Sequence, residues 1–320
     1  MPKILPPLCL CLLVLASPSA WADREKDKDK DDRPRPTAAE QKEIRDLAGR
    51  LGRGRHPALR GQAATALANY GVKAEAAVPA LVQALKDADL GVASASAAAL
   101  GKVGVHSADA VKGLLEALTR GRQDIKPTCA EALGRIGPNA GGAAPALVEA
   151  LGSDDFDLRR EAATALGFLG PRAEAVAPPR LKARLTDDEP RVRVAAATSL
   201  ARLGDRSPEL CDVLVGAVQK SARMPVEVRH AAAEALGLLG GAARGAVPTL
   251  LAVLREPAEI NPALPYAEQR QAQHDDLRRA AAVALGRIGD KEAIPALRAA
   301  AETDVLREAA GDALARLEGE

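Results

Sequence analysis

The chain has 320 residues, 44 Lys and Arg against 43 Asp and Glu, and 47% apolar residues of which few are aromatic (2% of the chain). Near-neutrality excludes a global field that would draw it to nucleic acid or an anionic membrane. The shortage of aromatics excludes a core or a base-stacking surface built on large rings, so Ala, Leu, Val and Ile must fill the interior.

The elements in chain order begin with a targeting signal. Lys3 precedes an apolar run over residues 4–16, and Ala20-Trp21-Ala22 places small residues at the −3 and −1 positions of a cleavage site. That run is too short for a bilayer core, which takes about 20 residues. Residues 1–22 are therefore expected to be a secretory signal peptide. The mature protein would then be exported, periplasmic or extracellular, without a transmembrane segment. Removal of Lys3 with the leader leaves equal numbers of basic and acidic residues. Residues 23–36, DREKDKDKDDRPRP, hold six acidic and six basic side chains and no large apolar one, the composition of a charged disordered linker. Order is expected over 37–320, starting at a capping box of Thr37 and Glu40, with Ile44, Leu47 and Leu51 following at helical spacing.

From there one helical phrase recurs eight times, as in Ala66-Leu67-Ala68, Ala99-Leu100-Gly101, Ala132-Leu133-Gly134 and Ala284-Leu285-Gly286. The central leucines are 33, 33, 33, 34, 36, 49 and 29 residues apart. Such a period marks a solenoid whose units cannot bury their apolar faces alone. Each later unit reads as two helices. The first opens on proline, as at Val78-Pro79, Ala144-Pro145, Val247-Pro248 and Ile294-Pro295, where a missing donor costs nothing. An acidic turn follows (Asp154-Asp155, Asp187-Asp188-Glu189 or Asp275-Asp276) and suits the positive end of the second helix. A glycine able to take the left-handed conformation closes the unit.

Val192-Arg193-Val194-Ala195-Ala196-Ala197-Thr198-Ser199-Leu200-Ala201-Arg202-Leu203-Gly204 and its copies resemble HEAT repeats, in the short bacterial form also found in phycobilin lyases. The resemblance covers 37–320 and implies an all-α solenoid of about eight two-helix repeats. A basic residue recurs as Arg60, Lys126, Arg159, Arg193, Arg229, Arg278 and Arg307, with Ala93 as the exception. In the family this position pairs with turn acids of neighbouring repeats, which implies a structural role here. The family also implies that the second helices line a concave surface.

Positions six before, two before and two after each central leucine share one side of the second helix. The last of the three is Lys102, Arg135, Arg202, Arg287 and Arg316 in five repeats, but Phe168 and Leu238 in two. Apolar residues among arginines match the mix found at interface hot spots, although packing on the next repeat would explain them equally. The expected function is an exported scaffold that binds an unidentified protein or peptide through this face, with Arg135, Phe168, Arg202, Leu238 and Arg287 as contacts. Tyr266 joins them from the insertion behind the 49-residue spacing. That insertion falls at residues 255–274, is assigned to the sixth repeat, and reads as a loop with room for a short helix.

No catalytic, cofactor-binding or metal-binding residue is expected. None of the four histidines is followed by Glu, so the His-Glu pairs of HEAT-type deoxyhypusine hydroxylases are missing, and no zinc or haem signature occurs. The sole Trp lies in the leader, against a DNA glycosylase reading. The enzymatic alternative is a phycobilin-lyase-like enzyme or chromophore chaperone, which an exported protein would be poorly placed to be. Cys129 and Cys211, assigned to the third and fifth repeats, are too far apart for a disulfide, and Cys129 reads as a core residue.

Overall fold

Apolar residues at three- and four-residue spacing give each unit two short amphipathic helices, and stacking covers the stripe that neither helix can bury by itself. A computed structural model describes residues 34–219, 224–257 and 266–319. Eight helix pairs follow one another: α1 (Ala38–Arg53) with α2 (Pro57–Asn69), α3 (Val78–Ala84) with α4 (Leu90–Val103), and α5 (Ala108–Arg120) with α6 (Lys126–Ile136). Next come α7 (Ala144–Ala150) with α8 (Phe156–Phe168), and α9 (Pro171–Glu174) and α10 (Pro178–Ala183) with α11 (Pro190–Arg202). The last three pairs are α12 (Pro208–Val218) with α13 (Val226–Leu239), α14 (Val247–Arg255) with α15 (Ala267–Ile288), and α16 (Ile294–Ala301) with α17 (Arg307–Glu318). Second helices pack on second helices in sequence order, and no strand occurs among the described residues. This is an all-α solenoid.

Local chemistry sets the boundaries. The Thr37 hydroxyl accepts from the Glu40 amide at 3.3 Å while the Glu40 carboxylate accepts from the Thr37 amide at 2.7 Å, the reciprocal cap the sequence implies. Pro79, Pro145, Pro248 and Pro295 sit in first turns, as expected. Asp89, Asp155 and Glu189 cap second helices through their carboxylates. Asp275-Asp276 does not form the expected turn, because α15 runs unbroken through it from Ala267. Among the closing glycines, Gly289 adopts φ 80°, while Gly104 stays at φ −89° and needs no special freedom.

The recurring phrase has a packing cause. A Cβ placed on Gly101, Gly134 or Gly286 would lie 2.9, 2.9 or 2.7 Å from the Cα of Ala132, Ala165 or Ala313 in the next second helix. Only a residue without a side chain permits that approach, and only a small one can face it. The leucine between them is wholly buried from Leu67 to Leu285, while Leu314, in the terminal repeat, is half-buried.

Three assignments change. Residues 267–274, in the stretch expected to be a loop with room for a short helix, are helical and continuous with the second helix, giving a 22-residue α15; residues 258–265 lie outside the described set. The insertion separates the helices of the seventh pair, one unit later than the spacing suggested. Cys211 belongs to the sixth pair, in α12; it and Cys129 are buried free thiols, and burial pushes the Cys129 thiol up to about 12. The stretch Val226–Arg255 is long and apolar enough to cross a membrane by composition alone. Here it is α13 and α14, broken at Gly240 with φ 56° and packed into the core. The expected leader at 1–22 and most of the linker at 23–36 fall outside the described residues.

Candidate partner-binding face

The basic column was expected to be structural, and three of its members carry that role. The Arg60 guanidinium forks onto Asp87 of the next repeat, at 2.7 Å for both bonds, and donates to the Gly54 carbonyl. Arg159 holds Asp187 at 2.9 and 2.8 Å, and Arg229 holds Glu256 at 3.2 and 2.6 Å. Each pair ties one second helix to the turn after the following first helix. Burial pushes the Asp187 carboxyl up, yet Arg159, the Glu189 amide and Arg184 together outweigh it and hold the group below its ordinary range. Elsewhere the column changes partners. Arg193 donates to the Asp187 and Asp188 carbonyls, Arg278 to the Leu254 carbonyl, and Arg307 pairs with exposed Asp304. Ala93, the exception, is buried.

The column two residues after each leucine is different. Arg135 (α6) pairs with Glu131 on its own helix at 2.6 Å. Phe168, at the end of α8, is half-buried, and the Arg202 guanidinium of α11 lies 4.2 Å from its ring centroid. The ring face therefore meets the neighbouring repeat's cation, as a platform for Arg202. Leu238 (α13) is half-buried and packs against the core with its outer part open. Burial pushes the Arg202 guanidinium down, with Glu234 pulling it back. Burial and then the like charge of Arg316 push Arg287 down, again opposed by Glu234. A Cβ on Gly237 would be 3.4 Å from Arg287 Cδ, so the Arg287 stem packs over Gly237 of the sixth repeat.

Five of the six expected contacts thus share one face across repeats three to seven. Tyr266 does not join them. It precedes α15 with a left-handed φ of 65° and a side chain 76% exposed, and it stands about 30 Å from Arg287 along a helix rising 1.5 Å per residue.

Glu161 is the charged residue on this face that spacing did not single out. It lies five residues before Leu166, a position that is Ala in five other repeats. Burial, with Glu131 and Asp157 nearby, pushes its carboxyl up to about 7, although Arg160 bonds it at 2.6 Å and opposes the shift. A comparison down the repeat columns at every helical position, beyond the three positions chosen, would have exposed it.

Models of HEAT repeats match residues 44–134, 111–189 and 178–262, and a PBS lyase HEAT-like repeat matches 277–303. No curated protein matches the sequence. Among solved structures, the complex of CpcE and CpcF of phycocyanin lyase from Nostoc sp. PCC7120 aligns with TM-score 0.55 at 23% identity, over 91% of this chain and 98% of that one. YibA of E. coli aligns at 0.53 and 18% identity, over 90% and 100%. Kap121p bound to Nup53p aligns at 0.57 and 14% identity, over 87% of this chain and 33% of that one. At these identities the likeness is one of fold. The family models cover more than half of the sequence, and the chain belongs to the HEAT repeat family as an all-α solenoid scaffold.

Proposed function

We propose that this chain is a non-catalytic scaffold, exported after cleavage near Ala22, that holds a protein or peptide on the face of its second helices. Residues 1–22 serve as signal peptide, 23–36 as linker and 37–320 as the solenoid. Arg135, Phe168, Arg202, Leu238 and Arg287 supply the contacts, and Tyr266 offers a separate exposed ring at the edge. The reading rests on one observation above others: Phe168 and Arg202 stack across a repeat boundary on a half-buried surface, in a column that also holds Leu238 and Arg287. Aromatic, aliphatic and guanidinium groups of this kind dominate binding energy at protein interfaces.

Affinity capture with the mature chain from envelope extract, followed by mass spectrometry, identifies candidate partners. Phe168→Ala and Leu238→Ala are each expected to weaken the captured complex at least tenfold. Unchanged affinity in both variants would sink the assignment of this face.

A phycobilin-lyase-like enzyme or chromophore chaperone is the second reading, favoured by the PBS lyase HEAT-like repeat at 277–303 and the alignment with the CpcE–CpcF complex. Fold likeness alone does not carry an activity across. Co-expression with a bilin and an apo-phycobiliprotein separates the two: covalent attachment dependent on this chain selects the enzyme.

A further inference from the structure

The second-helix face treats its cations in two ways. In repeats three and four they are neutralised in place: Arg135 by Glu131 at 2.6 Å, and Arg160 by Asp157 at 3.1 Å and Glu161 at 2.6 Å. Arg279 of repeat seven is likewise paired, with Asp276, but in the column two residues after the leucine Arg202, Arg287 and Arg316 form no hydrogen bond or ion pair with any described residue. Arg202 and Arg287 are nevertheless half-buried, and withdrawing a guanidinium from water costs free energy unless an anion compensates. Glu234 is close enough to act on both through space but bonds neither; its carboxylate lies 3.8 Å from His230 Nδ1. Arg287 and Arg316 are near enough to repel one another.

The geometry of Arg202 sharpens the point. A guanidinium stacked on an aromatic ring uses its flat face and leaves its edge donors free for the bidentate grip that carboxylates accept. Leu238 stands between Arg202 and Arg287 in the same column and gives an apolar patch between two cationic ones.

We infer that the surface formed by Arg202, Leu238, Arg287 and Arg316 binds an acidic segment of a partner protein, with carboxylates at Arg202 and Arg287 and an apolar side chain on Leu238. This rests on the second-helix face being the binding face. Packed helices lie about 8–10 Å apart, so two repeat steps span about 16–20 Å. An extended chain advances about 3.3–3.6 Å per residue, which sets the two acidic residues about five positions apart.

The test uses a fluorescein-labelled, end-capped dodecapeptide with two Glu five residues apart and Leu between them, titrated against the mature chain by anisotropy. A peptide with Lys in place of both Glu is run beside it, as are phosphatidylglycerol vesicles. Expected are salt-sensitive binding of the acidic peptide and a loss of tenfold or more in Arg202→Gln and in Arg287→Gln. Arg202→Lys, which keeps the charge but loses the stacked fork, should show a smaller loss. Severalfold tighter binding is expected in Glu234→Gln, since the competing carboxylate is gone. Arg298→Gln, on α16, serves as the unchanged control, and thermal melts confirm that each variant folds. Equal binding of the Lys peptide, no effect of the arginine variants, or vesicle binding without peptide binding would each overturn the inference. If the Lys peptide binds and Leu238→Ala weakens it, the face stands and only the acidic occupant falls. If no face substitution changes any binding, both readings fall together.

Discussion

Glu161 shows how one side chain can make a repeat protein respond to pH. Its carboxyl moves from an ordinary 4.5 to about 7, chiefly through burial. A carboxyl raised on folding favours the protonated form, so its contribution to stability is fully present below about pH 4.5 and is lost as pH rises through about 7. The groups facing it are Arg160 and Asp157 on its own helix and Glu131 on the preceding second helix. Glu161→Gln imitates the protonated form. It should leave the melting midpoint nearly unchanged at pH 4 and raise it at pH 8, by about 1–2 kcal/mol of stability. Equal shifts at both pH values would contradict the assignment. The residue escaped the sequence reading because a lone Glu on an amphipathic helix looks solvated; its burial arises from packing between repeats. Phe168 was legible as an irregularity, but not as the platform beneath Arg202, since that contact joins residues 34 positions apart in different repeats.

Within the elements, the second helices carry more of the information that sequence reveals. Their Ala-Leu-Gly phrase encodes a contact between neighbours, so its recurrence disclosed both the period and the packing. The first helices were harder to place. A short helical turn precedes the first helix in the second, fourth, fifth and seventh repeats (Gly71–Ala77, Gly137–Ala143, α9 and Gly240–Ala246), and α15 extends through an acidic pair that elsewhere marks a turn. Propensity explains the latter: residues 267–274, AEQRQAQH, contain no helix breaker, and the helix continues until Gly289 ends it. The glycine contact gives a paired prediction. Gly286→Val should cost about 1–3 kcal/mol, because the added carbons collide with the Ala313 backbone. Gly49→Ala, in α1 where nothing lies within 4 Å of the added carbon, should stabilise by up to about 1 kcal/mol through helix propensity. Denaturant titration of both variants beside the parent checks the contrast.

At the scale of the whole molecule, each repeat touches only its neighbours, so stability is close to a sum of units and junctions. The Gly134–Ala165 and Gly101–Ala132 contacts are alike, and Gly137-Pro138 and Gly170-Pro171 are equivalent joints, with φ 72° and 61° at the two glycines. Excising residues 138–170 should therefore give a shorter solenoid that still folds, with Gly134 now opposite Ser199. Removing only 138–160 leaves half a unit and should not fold. Circular dichroism and gel filtration of the two deletions decide the matter; comparable helicity in both would contradict it.

The glycine contact also bears on how such a chain changes over generations. Repeats two, three, four, six and seven each offer their successor a glycine socket, faced by Ala or, once, by Ser199, so copies among them can be gained, lost or exchanged without redesigning a joint. What does not survive such an exchange is order. In the excised chain Arg202 would meet Arg135 in place of Phe168, turning a stacked pair into a repulsive one. The joints preserve the shape, and the succession of side chains displayed on them is what can be rewritten.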